Sequence, residues 1–242
     1  SGDWSSDVCS SDLQDACHFL QACREARVQP SLAEMMQGAC LRAVEKTIGS
    51  RIPFSEREAH VLLGIDGGLK QLEESLCSIT AVADRWNEQI QVAKTELEKQ
   101  LFLSWRRGIS ESLSAQCMQK ISEDITVPIA QIPAIMSYLK QLNETEPYEI
   151  LGYGHLGDGN VHVNVLNRSE PLEKWTQDIP VLKDKLMEQT LKLGGTITGE
   201  HGVGLTKKRY LQAMFSSETI GIMKAVKRVF DPNNILNPTK IF

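Results

Sequence analysis

The sequence predicts an α+β protein in which helices pack on an antiparallel sheet. Three observations support this. Several segments carry apolar residues at helical spacing, shorter segments alternate apolar and polar residues, and Asp158-Gly159 is a dipeptide typical of a tight β-hairpin turn. Between residues 120 and 201 the segments follow the order β-α-β-β-α-β, the ferredoxin-like pattern. We therefore expect helices on one face of the sheet, with a further helical segment at the C-terminus.

The composition is that of an ordinary globular protein, with 41% hydrophobic and 24% charged residues among 242. A net charge of −5 gives no support for a nucleic acid partner, and no apolar run approaches the roughly 20 residues of a membrane span. The six cysteines show no CxxC spacing. Five of them lie in segments with a helical pattern, Cys17, Cys23, Cys40, Cys77 and Cys117. We predict that they are small core residues of a reduced, cytoplasmic protein.

Residues 1–13 differ from the rest of the chain. They show neither helical nor strand periodicity, and DWSSDVCSSDL resembles the translation of a sequencing-adapter oligonucleotide. We predict that this segment is a sequence-assembly artefact and is disordered. The alternative is a flexible, serine-rich terminus.

The elements of the first half follow from local patterns. Residues 14–27 and 69–83 carry helical stripes, HVLLGIDGG at 60–68 is a buried strand ending in a glycine turn, and Ser31 with Glu34 resembles a capping box that begins another helix. Residues 88–94 could continue a heptad-like helical stripe. A strand is favoured because Thr95 and Glu98 form a fresh capping box, which begins a helix that ends near residue 116. This half resembles a partial copy of the second half without its first strand.

The second half gives the ferredoxin-like order. The predicted strands are 120–128, 149–155, 160–166 and 196–201, and the predicted helices are 129–142 and 172–193. Gly194-Gly195 is expected to end the second helix. The last forty residues are predicted to be helical and to end in the tail DPNNILNPTKIF.

GYGHLGDGNVHVNV, residues 152–165, is the first stretch with chemical potential. With Asp158-Gly159 as a two-residue turn, His155 lies opposite His162, and Leu156 lies opposite Val161. One face of the hairpin is then apolar, and the other is a polar platform with two adjacent imidazoles that could share a metal ion. An ordinary hairpin whose polar face meets water is the simpler alternative.

TGEHGVGLTKKRYL, residues 198–211, is the second such stretch. Glu200 and His201 are flanked by Gly199, Gly202 and Gly204, at the end of a strand expected in the same sheet. A carboxylate brought to the edge of a two-histidine platform would complete a three-ligand, open metal site.

Together these motifs resemble a known family. GHLGDGNVHVNV, TGEHGVG and VFDPNNILNPTKIF are similar to the C-terminal half of the FAD-linked 2-hydroxy-acid dehydrogenases and oxidases. Weaker similarities are PSLAEMM, VLLGIDG, WRRGIS and KISEDITVP, so the resemblance covers about residues 25–242 in the family's order. The motifs do not distinguish the members that act on glycolate, D-lactate or D-2-hydroxyglutarate.

The resemblance implies a role for each matching residue. His155, His162 and Glu200 would hold a divalent metal, zinc in the family pattern, and His201 would be the base that takes the substrate's hydroxyl proton. Other residues would bind the acid or the flavin: Arg106, Ser110 and Asn164 for the substrate, with Lys120 as a further candidate, and Asn237 near FAD. Arg106 and Arg107 could equally lie on a solvated helix face.

The resemblance also implies a division of the chain. Residues 14–215 would form the substrate-binding cap domain, truncated at its N-terminus, and residues 216–242 a helix and tail that pack toward an absent FAD-binding domain. The sequence contains no P-loop, and its one GxGxxG match, GYGHLG at 152–157, lies in the predicted hairpin, so we expect the chain alone to bind FAD poorly and to be inactive.

Two functions from different classes are compatible with these patterns. The first is a flavoenzyme that oxidises a D-2-hydroxy acid and passes electrons to a quinone, an electron-transfer flavoprotein, a cytochrome or an iron–sulfur subunit. The second is a flavin-free metal-binding hydrolase or binding module on a ferredoxin-like sheet. The resemblance favours the first.

Overall fold

A computed structural model describes residues 2–10, 13–86 and 89–242. Its seven antiparallel strands form one sheet in the order β4-β1-β3-β2-β6-β7-β5. The strands are β1 Gly2–Ser10, β2 Leu32–Gln37, β3 Ala59–Gly67, β4 Gln89–Ala93, β5 Gln119–Thr126, β6 Glu149–His155 and β7 Asn160–Asn167. The helices are α1 Leu13–Glu25, α2 Gly38–Ile48, α3 Leu69–Trp86, α4 Glu96–Ala115, α5 Ile132–Thr145, α6 Leu172–Lys192, α7 Leu211–Met214 and α8 Ser217–Phe230.

The α+β class and most of the predicted elements are confirmed. The Thr95–Glu98 capping box begins α4, with the Thr95 hydroxyl accepting from the Glu98 N–H. After α6, Gly194 adopts a φ of 75° and the N–H of Gly195 donates to the Thr190 carbonyl, which ends the helix as predicted. None of the helices in the described part of the chain combines the length and apolarity needed to cross a bilayer.

The sheet consists of two ferredoxin-like halves joined at β2 and β6. The first half has the strand order β4-β1-β3-β2, and the second has β7 between β6 and β5. The prediction of a first half without its first strand is wrong, because β1 pairs with β3 on one side and with β4 on the other.

The prediction of disorder for residues 1–13 is therefore wrong for residues 2–10. A strand placed between two others is held by backbone hydrogen bonds, which need no periodic side-chain pattern. Residues 1, 11 and 12 lie outside the described residues. The adapter origin of the segment stays a prediction.

Helices cover both faces of the sheet, which corrects the expectation of helices on one face. The larger core lies between one face and α1, α3, α5 and α6 and includes Val61, Ile150 and Val163. A second core includes Leu62 and Leu151, which alternate with those residues and pack with Phe102 and Trp105 of α4 and with residues of α2. The sheet is thus buried on both faces where α2 and α4 cover it, so its strands carry apolar residues on both sides there.

The predicted helix after Ser31 is wrong, because Leu32–Gln37 forms strand β2. The Ser31 N–H and hydroxyl both bond to the Gly64 carbonyl of β3. The Glu34 carboxylate, which a capping box would direct back to the backbone, instead contacts His155 and Arg106. Pairing with β3 and β6 has outweighed the local helix-start pattern.

The predicted strand 196–201 is also wrong. It is reduced to a single bridge between Thr126 and Thr196, on the edge of β5 where a fourth strand of the second half would lie. The N–H groups of Gly199, Glu200 and His201 donate to the carboxylate of Asp124, so they cannot pair with a strand.

The hairpin register differs from the prediction by two residues. Tyr153 pairs with His162, and His155 pairs with Asn160, so that the turn has four residues, 156–159. Gly159 has a φ of 82°, and the Asp158 carboxylate accepts from the Asn160 N–H. Because side chains alternate with a period of two, this shift leaves the predicted faces unchanged. His155 and His162 still lie on one face, now as diagonal neighbours.

Close approach of the two hairpin strands requires glycine at position 154. A Cβ there would lie 2.1 Å from the Asn160 carbonyl oxygen, whereas a Cβ at Gly157 would meet nothing within 4 Å. We expect Gly154→Ala to lower the free energy of unfolding by about 1–3 kcal/mol, measured by urea denaturation. Gly157→Ala is the matched control, with an expected change within about 0.5 kcal/mol. Equal effects of the two substitutions would contradict this account of the hairpin.

Candidate metal and substrate site

Three histidines meet where the platform of the hairpin approaches the 198–201 loop. The ring centroids of His155 and His162 are 5.4 Å apart, with the rings nearly perpendicular. His201 stacks on His162, with centroids 5.7 Å apart and an interplanar angle of 20°. The register shift has therefore not separated the imidazoles that the sequence predicted to be neighbours.

Glu200 joins this platform as predicted. His155, His162 and Glu200 each offer one ligand atom, and these atoms lie within 4.8 Å of one another. The Nε2 atom of His162 is 3.6 Å from Oε1 of Glu200. Two ligands of a tetrahedral zinc ion lie about 3.4 Å apart, so modest side-chain rotations would bring the set to bonding geometry. Two imidazoles and one carboxylate suit a divalent transition metal.

The protonation of His162 also suits a ligand. Burial lowers its pKa to about 4, assisted by the positive charge of Arg106 and by His155, although Glu200 and Asp124 act in the opposite direction. The ring is therefore neutral near pH 7, which is the state that binds a metal.

Asp124 of β5 fixes the loop that carries Glu200 and His201. Its Oδ2 atom accepts four hydrogen bonds at 2.9–3.0 Å, from the Thr198 hydroxyl and from the backbone N–H groups of Gly199, Glu200 and His201. Burial raises the pKa of this carboxyl, but these hydrogen bonds and the charge of Lys207 outweigh that effect and lower it to about 2. Sequence reasoning placed Asp124 in a strand and missed this role. The only feature of the sequence that could have indicated this role was the position of Asp124 in the KISEDITVP motif, which resembles the family.

Lys207 contacts the strand that carries Asp124 and so supports the same loop indirectly. Its ammonium group is buried, donates to the Asp124 carbonyl at 2.5 Å and lies 3.6 Å from the Glu123 carboxylate. Burial lowers the pKa of Lys207, an effect that the charges of Glu123 and Asp124 oppose.

Glu34 is a second residue that the sequence assigned to another role. Its buried carboxylate contacts Nδ1 of His155 at 2.5 Å and accepts from Nε of Arg106 at 2.8 Å. The contact with Nδ1 leaves Nε2 of His155 available to a ligand. Glu34 lies opposite His155 in the β2–β6 pairing, a contact between distant segments that no local pattern indicates.

The residues predicted to bind substrate lie around the same platform. Arg106 is only 15% exposed, and its guanidinium lies 4.6 Å from the centroid of the Tyr153 ring. This excludes the solvated helix face for Arg106, whereas Arg107 is exposed. The Lys120 ammonium contacts the Ser110 hydroxyl and carbonyl, both at 2.8 Å.

Asn164 is buried on the platform side of β7, and its amide oxygen accepts from the Ser122 hydroxyl at 2.7 Å. Asn237 is exposed in the C-terminal tail. Within the described residues, no hydrogen bond joins it to the histidine cluster. Its predicted role near FAD stays a prediction.

Two buried oxygens flank the cluster without a hydrogen-bond partner in the described part of the chain, Oδ1 of Asp124 and Oδ1 of Asn160. Asp124 lies opposite His162, and Asn160 lies opposite His155. Buried polar atoms of this kind normally have a partner, so they are consistent with a site that receives a polar ligand.

The cysteines only partly follow their prediction. Cys17, Cys23, Cys40 and Cys77 lie in helices, whereas Cys117 follows α4. Cys23 and Cys40 are buried, and burial raises the pKa of each thiol to about 12, but Cys77 is exposed and is not a core residue.

Replacement of Asp124 should loosen the loop in a pH-dependent way. The pKa of this carboxyl is lower in the folded protein than in the unfolded chain, so its contribution is complete above pH 4 and is lost as the pH falls to about 2. We expect Asp124→Asn to cost about 2 kcal/mol at pH 7 and progressively less below pH 4, measured by urea denaturation at each pH. A cost that does not change with pH would contradict the role of the charge.

Comparison with known proteins gives the family. Residues 8–241 match the model of the family "FAD linked oxidases, C-terminal domain". The chain is 33% identical over 222 residues to the glycolate oxidase subunit GlcD of Bacillus subtilis, covering 90% of the chain and 46% of that protein. It is 30% identical over 219 residues to a D-lactate dehydrogenase of Anaerostipes hadrus, covering 88% and 46%. A D-2-hydroxyglutarate dehydrogenase of Stutzerimonas stutzeri is 39% identical over 154 residues, covering 61% and 32%.

Solved structures show the same fold. The 4-ethylphenol oxidase of Gulosibacter chungangensis aligns with a TM-score of 0.69 at 12% identity, covering 99% of the chain and 53% of that structure. p-Cresol methylhydroxylase aligns with a TM-score of 0.68 at 13% identity, covering 98% and 52%. The chain spans less than half the length of the GlcD and D-lactate dehydrogenase relatives, which it matches over most of its own length. The chain belongs to the FAD-linked oxidase family and corresponds to its C-terminal domain.

Proposed function

We propose that this chain is the substrate-binding part of a flavoprotein that oxidises a D-2-hydroxy acid to the 2-oxo acid. The observation that carries the proposal is the meeting of His155, His162 and Glu200 on one sheet face, with His201 stacked beside them. Arg106 lies on the same side, and the Glu34 carboxylate bridges it to His155. A three-ligand set, an imidazole base and a guanidinium suit the binding of a hydroxy acid and the removal of its hydroxyl proton.

The relatives support the class of substrate. The proteins most relevant to this chain are named for glycolate, D-lactate and D-2-hydroxyglutarate, which are all 2-hydroxy acids. At 30–39% identity they do not distinguish among these acids. The family description supports FAD as the cofactor.

Each residue has a distinct part in the proposed reaction. Arg106 binds the substrate carboxylate through its two terminal nitrogens, with Ser110 and Lys120 beside it, and Asn164 orients the substrate from β7. His201 accepts the hydroxyl proton at Nε2, the ring atom that lies 3.7 Å from Glu200 Oε1. A divalent metal held by His155, His162 and Glu200, zinc in our proposal, would polarise the hydroxyl, and FAD would accept the hydride.

The C-terminal segment provides a surface for a flavin-binding domain. Ile222, Val226, Val229 and Phe230 lie on one exposed stripe of α8, and Phe230 is 79% exposed. Ile235 and Leu236 of the tail extend this stripe. We propose that residues 216–242 pack there against the flavin-binding part of the protein, as the spacing of the apolar residues favours burial.

The flavin-free hydrolase is the weaker proposal, because the family is one of FAD-linked oxidases. The proposed electron acceptor is a quinone, an electron-transfer flavoprotein, a cytochrome or an iron–sulfur subunit.

We propose a cytoplasmic location from the free cysteines and the absence of a disulfide framework among the described side chains.

Metal binding tests the ligand set in this chain without any turnover. We expect His162→Ala to weaken zinc binding by more than about 100-fold, since one of three ligands is lost, whereas His201→Ala should retain it. Isothermal titration calorimetry and elemental analysis would measure both. His18→Ala, an exposed histidine of α1, is the matched control. Unchanged zinc binding in His162→Ala would contradict the assignment of His162 as a metal ligand.

Turnover tests the reaction itself. The chain should be expressed with the coding sequence that precedes it in its genome and assayed with glycolate, D-lactate and D-2-hydroxyglutarate and an artificial electron acceptor. We expect one acid to reduce a bound flavin, and His201→Ala to slow that reduction by about 10²–10⁴-fold while metal content is kept. Flavin reduction at the normal rate in His201→Ala would exclude His201 as the base.

A further inference from the structure

We propose that Glu34 is a positioning residue that serves the metal ligand His155 and the substrate-binding Arg106 at the same time. This inference rests on the proposed function, because it assigns a shared support to two of its residues. Glu34 lies on β2, between β3 and β6, and directly faces His155 in the pairing with β6. Its side chain is 6% exposed, so both of its contacts lie away from solvent.

The two oxygens of the carboxylate are divided between the two partners. Oε1 is 2.5 Å from Nδ1 of His155, and Oε2 accepts from Nε of Arg106 at 2.8 Å. Each partner presents an N–H to a different oxygen, and both oxygens of an ionised carboxylate are acceptors. A carboxylate can therefore hold both partners without turning a donor toward either of them.

The contact with His155 selects a tautomer. With the proton on Nδ1 and directed to Glu34, the lone pair of Nε2 is available to a metal, and the ring cannot rotate without losing this bond. Among the described residues, the second ligand, His162, has no carboxylate at hydrogen-bond distance; the Glu200 carboxylate, itself a proposed ligand, lies 3.6 Å from its Nε2. Its ring contacts the rings of Tyr153 and His201. In the described part of the chain, Glu34 is thus the one carboxylate outside the ligand set that forms a hydrogen bond with His155 or His162.

The contact with Arg106 leaves its binding end free. Only the Nε–H is bonded to Glu34, and within the described residues no hydrogen bond is recorded from either terminal nitrogen. The Tyr153 ring lies 4.6 Å below the guanidinium and fixes its plane. A guanidinium held by Nε over an aromatic ring presents its two terminal N–H₂ groups as a fork, the arrangement that binds a carboxylate bidentately.

Substitution by glutamine is the sharpest change. The amide keeps the length and volume of Glu34 but replaces one of the two oxygens by an N–H₂ group, so in the same orientation one partner faces a donor instead of an acceptor. If its N–H₂ group faces His155, the proton must move to Nε2, which blocks the metal-binding atom. If it faces Arg106, the Nε–H loses its partner and the guanidinium is released.

The test uses this chain, with zinc alone as the metal probe. In the metal-free wild type we expect long-range ¹H–¹⁵N spectra to show the Nδ1–H tautomer of His155 and an exchange-protected Arg106 Nε–H. In Glu34→Gln we expect one or both signatures to be lost, and zinc affinity to fall by about 10–100-fold, the usual cost of removing a partner of a metal ligand. Glu146→Gln, which replaces the carboxylate paired with Lys185 at 2.6 Å, is the matched control and should change none of the three.

The outcomes separate this inference from the proposed function. Unchanged zinc affinity and an unchanged His155 tautomer in folded Glu34→Gln would overturn the role of Glu34 and leave the metal site intact. No zinc binding in the wild type would instead remove the metal site. If Glu34→Gln does not fold, the wild-type spectra decide: the Nε2–H tautomer of His155 or a rapidly exchanging Arg106 Nε–H would overturn the inference, and the Nδ1–H tautomer with a protected Nε–H would support it.

Discussion

The hydrogen bonds to the buried carboxylate of Asp124 are the interaction on which the candidate site depends. They join the 198–201 loop to β5, next to the single Thr126–Thr196 bridge and the buried side chain of Ile197. One charged group accepting several backbone N–H groups can hold a loop more tightly than neutral hydrogen bonds of the same number. The price is a buried charge, and the nearby Lys207 offsets it. A candidate metal ligand and a candidate base can therefore lie on a glycine-rich segment outside the strands and still have a defined position.

The same arrangement explains why the sequence could predict the site but not its support. The alternation of valine with polar residues in β7 determines which face His162 occupies, and this holds for any register that keeps the period. Glu200 and His201 were recognisable because glycines surround them. Asp124, which anchors these two residues, could not be recognised from the sequence. A carboxylate inside a strand has no local pattern that reveals a partner some 75 residues away.

The errors at the secondary-structure level have a related cause. Ser31 and Glu34 match a helix start by spacing, yet the strands on either side of β2 provide more hydrogen bonds than a cap could. TITGEH has the composition of a strand, but its N–H groups are already used by Asp124. In both cases a polar side chain makes a long-range contact at the place where local reasoning fails. Such conflicts between local pattern and fold are expected near functional residues.

The period of the sheet also limits how the pairing of β6 and β7 can change. A slide of one strand along the other by two residues would keep both histidines on the platform, because each residue returns to its original face. A slide by one residue would turn one histidine into the apolar core beneath α5 and bring a core valine into the polar site. A change in the length of the turn 156–159 must therefore be accommodated in the loop itself or by a bulge, and not by a one-residue slide of the strands.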